Sequence, residues 1–204
     1  MRRRFLLILA LGLGVALVAA AVVARDRHRS HQATPLPPSA VSVIGDSLNL
    51  GIEPALREAL PGWAFHADDV VGRPTATGLE HLRAAGSSLA PYVVISLGTN
   101  DPSSAVDAFR SDVAEALRLT GANRCVVWAT IHRDGNAYAP FNEVLRAAAE
   151  RNRNVRLVEW AAMIDKHPDW LGFDGIHGNP DGYVARAEAV VAAMRSCHEA
   201  GVGG

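Results

Sequence analysis

Asp174 and His177 lie three residues apart in Phe173-Asp174-Gly175-Ile176-His177, so a carboxylate and an imidazole can meet on one loop. A carboxylate that engages one ring nitrogen holds the other in the form that accepts a proton. A serine placed to give up that proton becomes a nucleophile toward an acyl carbon, the chemistry of ester cleavage and acyl transfer. Ser47 is the candidate for that serine. It stands in Val41-Ser42-Val43-Ile44-Gly45-Asp46-Ser47-Leu48-Asn49-Leu50-Gly51, an apolar, β-rich run that breaks at a glycine and then offers a hydroxyl. Each feature also has a plainer reading: Asp and Ser are ordinary helix caps, and His177 can lie at the surface before a helix that begins at Pro180.

Acyl chemistry further needs donors aimed at the oxygen that becomes negative in the tetrahedral intermediate. Gly72 follows a strand-like run ending in Val70-Val71, and without a Cβ its N–H can approach a ligand closely; a simple turn glycine is the alternative. Asn100, in Gly98-Thr99-Asn100-Asp101, follows the apolar run Tyr92 to Leu97. Its NH₂ can donate to an oxyanion, or the residue can close an Asx turn leading to Pro102. Arg73 is placed to pair with a substrate carboxylate or to stay solvated. Trp170, Phe173 and Tyr138 fall in loops near the same edge, where an aromatic ring stacks on a sugar or packs its own loop. The remaining histidines, among them His66, His81, His132 and His167, show no ligand spacing such as His-Glu-x-x-His, so neither metal nor cofactor is expected.

The elements that must position these residues are legible as an alternation. Strand-like runs cover Val41 to Ile44, Trp63 to Val71, Tyr92 to Leu97, Arg124 to Ala129 and Val155 to Val158. Helical runs cover Leu48 to Leu60, Thr77 to Ala85, Ser104 to Leu119, Phe141 to Arg151 and Pro180 to Cys197. Val106, Phe109, Val113 and Leu117 form one core stripe, and Tyr183, Ala187, Val190 and Met194 another. Five β/α units predict a three-layer α/β/α sandwich around a five-stranded parallel sheet. In such a sheet ligands bind at the carboxyl ends of the strands, and Ser47, Gly72, Asn100, Asp174 and His177 all fall at or after such an end.

That set, in that order, resembles the SGNH hydrolases, also called the GDSL family. Gly45-Asp46-Ser47-Leu48 matches the GDSL signature, and the four letters of the other name fall on Ser47, Gly72, Asn100 and His177. The resemblance covers Val41 to about Cys197. It implies a flavodoxin-like fold and a serine ester hydrolase, with Ser47 as nucleophile, His177 as base and then acid, and Asp174 orienting it. The implied oxyanion hole is the Ser47 and Gly72 amides with the Asn100 side chain. Val71-Gly72-Arg73 and His167-Pro168-Asp169-Trp170 make the chain look most like the extracytoplasmic SGNH domains fused to membrane acyltransferases that modify cell-surface glycans. The substrate implied is a small-molecule or glycan ester, with a separate membrane acyltransferase as a partner. Those fusions carry many membrane spans and this chain one apolar run, so hydrolysis of a short acyl ester, O-acetyl first, is expected over transfer to a glycan hydroxyl.

The apolar run is Phe5 to Ala24, preceded by Arg2-Arg3-Arg4. It directs export, and its length favours an anchor in the membrane, with a cleavable signal ending at Val22-Val23-Ala24 as the alternative. The expected organisation is a signal segment over 1–24, a proline-bearing linker over 25–40 and a hydrolase domain over 41–200, working outside the cytoplasmic membrane. Cys125 and Cys197 are the two cysteines, and export permits their pairing. In the expected topology both reach the sheet edge opposite Ser47, which favours a disulfide over two buried thiols. A net charge of −1 offers no electrostatic case for nucleic acid. Two other classes compete: a non-catalytic glycan-binding domain on the same fold, and a nucleotide-binding flavodoxin-like domain. No Gly-x-Gly-x-x-Gly or Walker loop follows the first strand to support the latter.

Overall fold

Strand β1, Ala40–Gly45, lies one strand in from the edge of a five-stranded parallel sheet with the order β2-β1-β3-β4-β5. Its partners are β2 (Ala64–Asp69) and β3 (Tyr92–Ser96), followed outward by β4 (Cys125–Ala129) and β5 (Val155–Val158). These coordinates, a computed structural model of the chain, describe residues 36–133 and 135–203. All of these but Leu36 fall in one unit, Pro37–Gly204. The expected signal segment 1–24, and the linker as far as residue 35, lie outside the described residues. Among those described, no helix is long and apolar enough to cross a membrane.

The central strands are buried on both faces. Every residue of β3 and β4 is buried, which is why Tyr92-Val93-Val94-Ile95 and Cys125-Val126-Val127-Trp128 read as continuous apolar runs rather than alternating ones. One face is covered by α2 (Thr75–Ala85), α3 (Val106–Thr120) and α4 (Ala139–Arg151), through a core that includes Leu79, Leu82, Val93, Ile95, Phe109, Val113, Trp128, Phe141 and Leu145. Phe109 and Phe141 stack there with ring centroids 4.2 Å apart. The other face is covered by α1 (Ser47–Ala59) and α6 (Pro180–Glu199), which pack on each other. The three layers and the parallel sheet agree with the sequence reading, and both core stripes face inward.

Two local features depart from it. The second strand ends at Asp69 instead of Val71, because Val70 to Arg73 form a turn closed by a 3.2 Å bond from Arg73 N–H to Val70 C=O. A short helix α5, Trp160–Lys166, follows β5 and leads into a 3₁₀ turn at Pro168–Trp170. Seven residues are too few to display helical periodicity, and Pro168 ends the segment. At the opposite edge of the sheet from Ser47, Cys125 at the start of β4 and Cys197 near the end of α6 are joined by a disulfide, with Cα atoms 5.9 Å apart.

Candidate active site

The turn from β1 to α1 divides its labour between neighbouring residues. Asp46, fully buried, is the helix cap: its Oδ1 accepts from Leu48 N–H at 2.9 Å. The Asp46 carbonyl takes the Asn49 and Leu50 amides, each at 3.2 Å. Ser47 is thus the first residue of the helix, its hydroxyl free of capping duty and its amide outside the cap's own hydrogen bonds. Asp46 N–H in turn donates to Ser96 C=O at 3.2 Å, tying the turn to the end of β3.

His177 Nε2 stands 2.8 Å from Ser47 Oγ, and His177 Nδ1 stands 2.7 Å from Asp174 Oδ2. The loop that carries this pair is closed on itself. Gly172 N–H donates to His177 C=O at 2.8 Å, and Gly175 N–H to Gly172 C=O at 3.1 Å. Asp174 Oδ1 accepts from the Ile176 and His177 amides at 3.0 Å each, leaving Oδ2 for the imidazole. The imidazole contact first, and then the two amides, hold the Asp174 carboxyl well below the usual carboxylate range. A carboxylate that stays ionised receives the Nδ1 proton and fixes the tautomer in which Nε2 accepts from Ser47. Asn179 caps α6 through Gly182 N–H at 2.9 Å, and its own N–H donates to Trp170 C=O at 2.8 Å, so the loop is pinned to the helix behind it.

Gly72 occupies the third position of the Val70–Arg73 turn with φ of 76°, a conformation that disfavours any side chain. The turn's hydrogen bond uses the Arg73 amide and leaves the Gly72 N–H out. Asn100 reaches the same place from the loop after β3. Its Nδ2 donates to Asp46 Oδ2 at 2.8 Å and to Arg73 C=O at 3.3 Å. That loop is held on two more sides: Tyr138 Oη donates to Asp101 C=O at 2.7 Å, and Arg133 to Thr99 C=O at 2.7 Å. Asp101 caps α2 from outside it, accepting from the Thr75 amide at 3.1 and 3.2 Å and from the Thr75 hydroxyl.

Ser47, Asp174, His177, Gly72 and Asn100 therefore converge on one edge of the sheet. Arg73 is a correction. Its side chain is only 1% exposed and its Nη2 lies 2.6 Å from Asp68 Oδ1, so it faces into the protein and has no substrate carboxylate to meet. It braces the turn that carries Gly72, because the guanidinium also donates to Asp68 C=O. Trp170 is half-buried and stacked on His167, with centroids 4.1 Å apart, and Tyr138 is buried. Both rings are engaged in loop packing. Among the described residues no group of three or more His, Cys, Asp or Glu side chains is placed to hold a metal ion.

Two polar groups around this site, Arg186 and Asp69, escaped the sequence reading. Arg186 of α6 is fully buried; its Nη2 donates to Ser96 Oγ at 2.7 Å, and its guanidinium lies 5.2 Å from the Trp160 ring. Burial lowers its pKa to about 10, so it remains charged at neutral pH and its charge offsets part of the cost of burying Asp46. That burial still leaves the Asp46 carboxyl raised. A signal for Arg186 was present, since it is spaced with Tyr183 and Val190 on the apolar stripe of its helix. The second group is half-buried Asp69, whose Oδ1 accepts from Asn49 Nδ2 at 3.2 Å across the gap between β2 and α1.

Burial pushes the Asp69 carboxyl from 3.8 up to about 6, against the pull of the Asn49 amide. A raised carboxyl makes the native state the tighter proton binder, so stability is greatest below the unfolded value and falls as pH rises through about 6. Asp69→Asn keeps an oxygen for Asn49 and cannot ionise. It is expected to flatten that slope and stabilise the fold at pH 7 by on the order of 1 kcal/mol, after allowance for solvent screening. Urea melts of both proteins at about pH 4 and pH 7 check this; an unchanged slope would contradict it.

No family model matches the chain. Similar sequences nonetheless cover most of it. The peptidoglycan O-acetyltransferase OatA of Listeria monocytogenes is 31% identical over 160 residues, 75% of this chain and 23% of that protein. The O-acetyltransferase OatA of Staphylococcus aureus is 26% identical over 157 residues, 76% of this chain and 25% of that protein. The chain thus spans about a quarter of the length of the curated relatives it matches. The C-terminal catalytic domain of Streptococcus pneumoniae peptidoglycan O-acetyltransferase A, solved with a methylsulfonyl adduct, superposes with a TM-score of 0.68 at 22% identity, covering 79% of this chain and 96% of that one. A lipolytic protein of the G-D-S-L family from Veillonella parvula superposes with a TM-score of 0.64 at 15% identity, covering 76% and 98%. The chain is a homologue of OatA-type peptidoglycan O-acetyltransferases and has the SGNH/GDSL hydrolase fold.

Proposed function

We propose that the chain is a serine-dependent acyl-ester enzyme that removes short acyl groups, O-acetyl first, from a carbohydrate at the cell surface. The observation that carries this reading is the continuous contact from Asp174 through His177 to Ser47. With Nδ1–H donated to Asp174, Nε2 takes the Ser47 proton as Oγ attacks the ester carbonyl. The carbonyl oxygen becomes negative and is received by the Ser47 and Gly72 amides and by Asn100. His177 then returns the proton to the departing sugar hydroxyl, leaving an acyl group on Ser47. Water, activated by the same imidazole, releases it.

Asn100 has both amide hydrogens engaged before substrate arrives, and the longer contact, to Arg73 C=O, is the one an oxyanion would displace. Asn100→Ala is expected to lower kcat by about 10²-fold or more with little change in KM. Because the change also strips a donor from buried Asp46, a stability loss of about 1–3 kcal/mol should accompany it. A large KM effect at constant kcat would instead make Asn100 a substrate-binding group.

The site is open. The His177 and Asp174 side chains are 39% and 37% exposed, which suits an ester carried on a large substrate. The relatives' names supply a second reading, in which a sugar hydroxyl replaces water and the acyl group is transferred to a glycan; the triad serves both. For location, the basic and apolar N-terminus supports export, the proline-bearing stretch ahead of the domain suits a linker to a membrane, and the Cys125–Cys197 disulfide fits an oxidising compartment. A separate membrane acyltransferase is the partner such a domain would need for transfer. Incubation of the full chain with an aryl acetate and a glycan acceptor decides between the two outcomes. Free acetate in excess is expected; acetylated glycan outpacing it would overturn hydrolysis, and no acyl release from any sugar ester would overturn the substrate class.

A further inference from the structure

Large apolar side chains stand exposed at five described positions, Leu50, Val70, Val71, Phe173 and Val184, and all five lie on one edge of the sheet. Leu50 is in the first turn of α1, one turn from Ser47. Val184 is near the start of α6. Val70 and Val71 lie in the turn that presents Gly72, and Phe173 immediately precedes Asp174. Exposed apolar residues scattered singly need no explanation, but a set gathered around a reactive serine marks a surface that meets something.

Phe173 is the extreme member. It occupies the second position of the Gly172–Gly175 turn, whose closing hydrogen bond places Asp174 next in the same turn, and its side chain is fully exposed. Val71 holds the same position in the Val70–Arg73 turn, next to Gly72, and is 73% exposed. The two turns that deliver the triad carboxylate and the oxyanion amide thus each raise one apolar side chain at their apex. Of the three aromatic residues in the surrounding loops, Trp170 and Tyr138 are spent on packing, and only Phe173 keeps both ring faces free. One imidazole and its hydrogen bonds of 2.7 and 2.8 Å link Asp174 to Ser47 Oγ, and Phe173 is the residue immediately before that carboxylate. Exposed Asp169 and Asp181 flank the loop and disfavour an anionic lipid surface.

We infer that Phe173, with Val71 of the turn that carries Gly72, forms a saccharide subsite beside the triad, the phenyl ring stacking on the C–H face of a pyranose that neighbours the esterified or accepting unit of a glycan chain. This rests on the glycan-ester reading above and adds that the substrate is an oligomer, recognised beyond the ester itself. A rigid aromatic face loses little conformational freedom on binding and gains contact with the apolar face of the sugar.

The test uses the full chain as wild type, Phe173→Ala and Phe173→Trp, with an aryl acetate and with an acetylated oligosaccharide, the latter's unacetylated form also serving as acceptor. The ring makes no contact that folding needs, so the variants should remain folded. Phe173→Ala is expected to raise KM for the oligosaccharide about three- to tenfold more than for the aryl acetate, with kcat changing far less, and Phe173→Trp to restore it. Equal losses on both substrates would place the ring in the chemistry, and an unchanged oligosaccharide KM would leave the lip to a protein partner; either overturns the subsite. Should wild type turn over the aryl acetate through Ser47 yet accept the oligosaccharide neither as ester nor as acceptor, the glycan reading falls and the subsite with it.

Discussion

Ser47→Ala and His177→Ala are each expected to lower kcat on a short acyl ester by about 10⁴-fold or more, while leaving the fold intact. Asp46, and not Ser47, caps α1, so the serine hydroxyl can be removed without uncapping the helix. The half-exposed imidazole is likewise not part of the core. Because the two groups act in one proton transfer, the double variant should lose little beyond either single one. Asp174→Asn tests the third member differently. An amide at this position can present its NH₂ to Nδ1 and favour the wrong tautomer, and a loss of about 10³- to 10⁴-fold in kcat is expected with KM nearly constant. Steady-state kinetics with circular dichroism as the folding control checks all three; a fully active Asp174→Asn protein would remove the carboxylate from the mechanism.

The second large effect is on stability. The Cys125–Cys197 disulfide closes a loop of 72 residues, and in the chain-entropy view its removal costs about 4 kcal/mol. Cys125→Ala/Cys197→Ala should therefore melt on the order of 10 °C lower than wild type. Both sulfurs are fully buried at the edge of the sheet away from Ser47, so activity well below the melting range should persist. Equal melting temperatures of wild type with and without reductant would contradict the expectation, as would free thiols in peptides of the unreduced protein.

Much of this molecule was legible because the features that mark it are local. Five apolar strand runs and two clear helical stripes are enough for the parallel sheet, and the residues with chemical potential all follow strand ends. What stayed hidden depends on tertiary burial. Arg73 looked like a surface cation beside a glycine, yet the Val70–Arg73 turn points it back at Asp68, and nothing in its neighbours' identities declares that direction. Asp46 was legible as a cap but not as the acceptor that holds Asn100, since the two are 54 residues apart. The upward shift of Asp69 comes from burial at the end of β2, against the pull of Asn49, and burial of that end is set by packing distant in the chain. Short α5 has too few residues to show a period.

Every step proposed for this site passes the acyl group through Ser47. Brief mixing of the full chain with an acetyl ester, an acid quench and mass analysis of the peptides tests it directly. An acetyl group is expected on the peptide carrying Ser47 within the first turnover, and none in Ser47→Ala; turnover that proceeds with Ser47 unmodified, or with the acetyl group on another residue, would overturn the mechanism.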